Sequence, residues 1–201
     1  MLATPYKEVS MKRLLVVLLA MACGAAFAQA PSRIRGTITK MEGNVMSVKT
    51  REGKNITVTL APDATVSTAK KATLAELKDK YVGVTSEEKD GKLVAVEVHA
   101  IPPAAPAGHM AWDLKPNSKM TNANLATQAK VTGGNEITMK YKDGEKKILV
   151  PAKTPVVKFD PGTLADLKKG EHIFTIAKME SEGKYSTARV SVSKGGVKPP
   201  Q

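Results

Sequence analysis

Thr73-Leu74-Ala75-Glu76-Leu77-Lys78 returns about ninety residues later as Thr163-Leu164-Ala165-Asp166-Leu167-Lys168, and strand-like sequence flanks both copies. Each threonine can accept a hydrogen bond from the amide three residues on. Glu76 or Asp166 can reach back to the threonine amide, which is a capping box. Leu74 and Leu77, like Leu164 and Leu167, sit three apart and share a helical face. Lys78 and Lys80, or Lys168 and Lys169, suit the negative end of a helix dipole, and Gly170 suits a left-handed stop. The stretch therefore reads as a helix of about two turns. A helix that short is unstable alone and must plug something larger.

Strands surround it. Residues 34–41 alternate apolar and polar, turn at Glu42-Gly43-Asn44 into 45–49, and turn again at residues 51–54 into 56–60, which Val66 extends. After the helix come residues 81–85, an Asp90-Gly91 turn and residues 93–98. The second half keeps the order: 125–131, a Gly133-Gly134-Asn135 turn, 137–141, an Asp143-Gly144 turn, then 148–150 and 156–157. Residues 172–176, a Glu182-Gly183 turn and 185–192 follow its helix. Period-two alternation broken by Asn/Asp-Gly turns is a hairpin pattern. A β-β-β-α-β-β unit written twice predicts a mainly β chain of two tandem OB-like five-stranded barrels, each with one short helix between strands 3 and 4. An SH3-like barrel or a small sandwich fits the same string. The expected division is domain 1 at 29–100, a proline-rich linker and connecting strap at 101–120, domain 2 at 121–194 and a disordered tail at 195–201.

The chain has 201 residues, and 31 Lys and Arg against 19 Asp and Glu leave it at +12. That balance favours an acidic partner. Met11-Lys12-Arg13, an apolar run to Ala22 and Ala26-Phe27-Ala28 make a secretory signal with Met11 as the better start. Residues 1–28 are expected to be removed, leaving Gln29 first. Cys23, the sole cysteine, lies within that signal, and Ala20-Met21-Ala22 lacks the leucine of a lipid-attachment site. The mature chain then has no disulfide and no thiolate, and no later run is apolar enough to span a bilayer. These features point to a periplasm.

The turn Thr163-Leu164-Ala165-Asp166-Leu167-Lys168-Lys169-Gly170-Glu171 and the last strand from Gly183-Lys184 to Val192 carry a resemblance. Trp112-Asp113-Leu114-Lys115-Pro116 and Met120-Thr121-Asn122-Ala123 add to it. In these the chain resembles bacterial exported proteins of unknown function with tandem OB-like barrels, sometimes labelled as metal-transporter components. The resemblance covers most of the mature chain and implies no catalytic residues. Nothing here could act as a permease.

No His-Glu-x-x-His, phosphate loop or Gly-x-Ser-x-Gly is present, and Glu87-Glu88 reads as a solvated turn. The expectation is a protein that is not an enzyme. Lys49, Arg51 and Lys54 fall around the second hairpin of the first half, and Lys140, Tyr141, Lys142, Lys146 and Lys147 around that of the second. OB barrels bind ligands beside these strands, so these residues are the candidate contacts for an anionic envelope component or protein partner. Single-stranded nucleic acid also needs stacking aromatics, and Tyr141 alone argues against it. His99 and His172 read as surface or barrel-rim residues. The alternative site is His109, Met110 and Met120, whose imidazole and thioethers suit copper. Against it stands a packing role, with Met110, Trp112 and Met120 strapping the barrels together.

Overall fold

A computed structural model describes residues 31–200; the expected signal segment 1–28 and the cleavage point before Gln29 lie outside them. Among the described residues the chain is mainly β. The strands are β1 (Ser32–Glu42), β2 (Val45–Thr50), β3 (Asn55–Lys71), β4 (Tyr81–Lys89), β5 (Lys92–Ala100) and β6 (Gly108–Ala111). They continue as β7 (Lys119–Val131), β8 (Gly134–Tyr141), β9 (Gly144–Pro151), β10 (Val156–Pro161), β11 (His172–Ser181) and β12 (Lys184–Val192). Alternation drives them: along β3, Ile56, Val58 and Leu60 are buried with Thr57 and Thr59 between them, so one face is apolar. Asp90 and Gly91, both at positive φ, make the tight β4–β5 hairpin turn.

The pairing closes on itself. β1 pairs with β2, β2 with β3, β3 runs parallel to β12, β12 pairs with β11, and β11 returns to β1. This is a closed five-stranded barrel made of three strands from the first half and two from the second. A second circuit runs β7–β8–β9–β5–β4 and back to β7. A short parallel contact, Leu93 beside Ile148 and Val94 beside Leu149, closes it.

The expected tandem arrangement, with residues 29–100 in one barrel and 121–194 in the next, is corrected here: the halves exchange their last two strands. The physical reason lies in β3. Its final residues, Ser67–Lys71, pair with β10 instead of turning back, and so carry the chain out of the first circuit. β10 also runs parallel to β5 and stitches the circuits into one continuous sheet.

The cores follow the exchange. Ile38, Met46, Val58 and Leu60 pack with Ile173 and Val190 in one cluster. Val82, Val84 and Val98 pack with Leu125, Ile137 and Ile148 in the other. Each such side chain contributes about 1.5–3 kcal/mol on burial, so each core binds the two halves together.

The helices are also shorter than expected. Each is a single 3-10 turn, Ala75–Leu77 and Leu164–Asp166. The capping boxes form: Thr73 N–H donates to Glu76 Oε2 at 2.8 Å, and Thr163 N–H donates to Asp166 Oδ2 at 2.9 Å. Lys78 then adopts ψ 137°, which ends the first turn. Leu74 and Leu77 enter the second core and Leu167 the first, while Leu164 is 51% exposed and does not share the buried face expected of it.

The tail, expected to be disordered, instead folds back. Lys194 and Val197 exchange backbone hydrogen bonds of 3.1 Å around Gly195 and Gly196, and Pro199 and Pro200 are buried.

Candidate functional site

The segment after the prolines ties the circuits together. β6 pairs with β7, and the next residues cross to β1. There Arg33 lies 4.1 Å from the centre of the Trp112 ring, and Arg35 Nη2 donates to Asp113 Oδ1 at 2.7 Å. Burial alone would raise the Asp113 pKa; the hydrogen bond and charge of Arg35, with the charge of Arg33, overcome it and hold the carboxyl below its usual value. Arg51 Nη1 donates to Leu114 O at 3.2 Å, and Lys115 Nζ reaches Glu87 Oε1 at 3.2 Å. Trp112 and Asp113 thus act as the strap.

The metal set does not come together. His109 and Met110 are neighbours on β6, so their side chains leave opposite faces of the strand. His109 Nδ1 shares a 2.8 Å hydrogen bond with Thr121 Oγ1. Burial, then Lys146 and Lys119, lower its pKa. Met120 pairs with Met110 on the other face, is 2% exposed and has its sulfur 4.0 Å from the Thr85 hydroxyl. Among the described residues, no group of three His, Cys, Asp or Glu side chains could hold a metal ion. His99 is half-buried; its Nδ1 is shut off from solvent without a partner, and burial lowers its pKa to about 4. His172 Nδ1 faces Thr37 Oγ1 at 3.3 Å at the edge of the first barrel.

The basic hairpins are separated as well. Lys49, Arg51 and Lys54 are exposed around the β2–β3 turn of the first circuit, while the other five residues belong to β8, β9 and their turn in the second. Lys146 lies opposite buried Met139, and Lys147 opposite Thr138, so these two lysines face different sides of the sheet. Lys140, opposite Glu145, shares the side of Lys147. Tyr141 packs against the second core and is not free to stack on a ligand.

A different set of lysines does converge. On β5 the register jumps from Glu97 opposite Thr85 to Ala95 opposite Ser86, leaving Val96 as a bulge. The connection from Pro151 to Pro155 arches over this bulge. Val98 N–H donates to Pro155 O at 2.9 Å, and Thr154 Oγ1 donates to Ala95 O at 3.5 Å. A cleft of about 300 Å³ opens beside the arch. Lys89 from β4, Lys115 from the strap and Lys153 from the arch line it, with Glu87 as the one acidic side chain. Glu87 already takes Lys115 at 3.2 Å and Lys89 at 3.7 Å, whereas Lys153 has no ionic or hydrogen-bonding partner among the described residues. Val94, Val96, Pro151 and Pro155 supply apolar walls.

Three ammonium groups against one carboxylate leave an uncompensated positive charge in an open, partly apolar cleft. Such a site can hold an oxyanion. Sequence reasoning missed it because the three lysines come from separate segments; only Glu87 and Lys89, two apart on one strand face, carried a local sign. Comparison with family models, curated proteins and solved structures returns no match.

Proposed function

We propose that this chain is a periplasmic, non-enzymatic binding protein for an anionic component of the cell envelope, and that the lysine cleft is where it binds. The observation that carries this reading is that Lys89, Lys115 and Lys153 line one cleft with Glu87 as its single carboxylate. The +12 balance of the chain supports it by drawing anions toward the surface. The exported location rests on the Met11–Ala28 sequence pattern, and the likeness to exported proteins with OB-like barrels fits the same picture. We read each five-stranded circuit as an OB-like barrel whose three leading strands come from one half and whose two closing strands come from the other.

The test is a titration with inorganic phosphate at two ionic strengths. Affinity should fall as salt rises, because the attraction is screened. Replacing Lys115 and Lys153 with glutamine should weaken binding about tenfold or more, while replacing Lys140 and Lys147 on the other hairpin should change it little. Equal loss from both pairs would assign the binding to diffuse surface charge, and no saturable binding would reject the reading.

A further inference from the structure

The arch that walls the lysine cleft walls a second one. Pro155 borders both: the first has Val96 in its lining, and the second, about 220 Å³, has the next residue, Glu97. Its far side is the carboxyl-terminal tail. Gly195 and Gly196 take φ of 57° and 79°, a turn that returns Pro199 and Pro200 to the protein, where they line the cleft with Val157. Glu97 and Lys198 are also in its lining and oppose each other in charge. Glu97 is 7% exposed and its Oε1 already accepts the Thr85 hydroxyl at 3.0 Å. What the second cleft presents is therefore chiefly apolar: Pro155, Val157, Pro199 and Pro200. By itself it falls below the roughly 300–1,000 Å³ of small-molecule sites, and joined to the first it lies within that range.

We propose that the two clefts form one site for an anionic amphiphile. A phosphate or carboxylate headgroup sits among Lys89, Lys115 and Lys153. A short alkyl or acyl chain crosses Pro155 toward Val157 and ends against the tail prolines. This rests on the reading of the lysine cleft as an anion site and adds to it an apolar direction and a length limit. The charge of the headgroup is met at one end only, because the far end carries no net charge.

The experiment is a calorimetric titration of the full chain with inorganic, methyl, butyl and octyl phosphate at fixed ionic strength. Affinity should tighten by about two- to fourfold per methylene, the burial free energy of a CH₂ expressed as a ratio. The rise should stop once the chain reaches the tail. Val157→Ser, and separately deletion of residues 199–201, should flatten the chain-length dependence and leave inorganic phosphate unchanged. Lys115→Gln with Lys153→Gln should weaken the whole series. If phosphate binds through the lysines but longer chains add nothing, the amphiphile proposal is overturned and the anion cleft survives. If no member binds, or binding ignores the lysines, both readings fail. A further arm identifies the source. Sedimentation with phosphatidic acid vesicles that butyl phosphate reverses would assign a headgroup presented by a bilayer. Octyl phosphate binding without vesicle binding would assign a free amphiphile.

Discussion

Arg35 is 4% exposed, with Phe174 and Trp112 ring centres 5.3 and 5.8 Å from its guanidinium carbon. Its Nη2 is met by Asp113, whereas its buried Nε has no partner. A planar guanidinium suits a slot between two rings, and its long stem also packs there. Arg35→Ala removes this packing and leaves Asp113 with the longer, 3.7 Å ion pair to Arg33. Chemical denaturation should show a loss of about 2–4 kcal/mol. Arg35→Lys should recover only part of it, because an ammonium cannot fill the planar slot. A loss no larger than for an exposed arginine away from the strap, such as Arg189, would mean that the strap is held by other contacts.

Among the elements, the 3-10 turn Ala75–Leu77 is fixed at both levels, by its capping box and by β10. Lys158 Nζ lies 2.6 Å from Glu76 Oε1. That bond, followed by those from Thr73, lowers the Glu76 pKa from 4.5 to about 2. A carboxyl with a depressed folded-state pKa stabilises above its unfolded value and loses that contribution as pH falls through the folded one. The stabilisation is therefore full above about pH 4.5 and fades toward pH 2. Melting curves across this window should show a shallower acid decline for Glu76→Gln than for the parent; parallel curves would exclude a role for the pair. The capping box was legible from Thr73 and Glu76 alone because its chemistry is local. The strands were legible for a similar reason, since alternation and Asp-Gly turns report on a few residues at a time. Strand exchange was not: β4 and β11 carry equivalent patterns, and either could close against β1 or β7. The length of β3 and its pairing with β10 decide between them, and both depend on distant partners. The lysine cleft was hidden for the same reason, as it exists only once β4, the strap and the arch have met.

For the whole molecule, the exchange makes the proline-rich connection dispensable as a tether. Residues 101–107 join β5 to β6, but β4 pairs with β7, β12 with β3 and β11 with β1 across the halves. A protease site placed between Ala104 and Ala105 should therefore give two fragments that stay together on gel filtration and separate only in denaturant. Fragments that part under native conditions would contradict the exchanged pairing. This outcome differs from that for two barrels on a string, in which a cut at the linker frees two independent domains.

The same exchange sets an order in time. Ser67 and Ser191, in hydrogen bond across β3 and β12, are 124 positions apart. A chain made from its amino terminus holds three staves of the first barrel early and must wait for the final one until Val192 has emerged. Closure of contacts so far apart is slow. Until then the apolar inner face of β1, β2 and β3 lacks the two strands that close it.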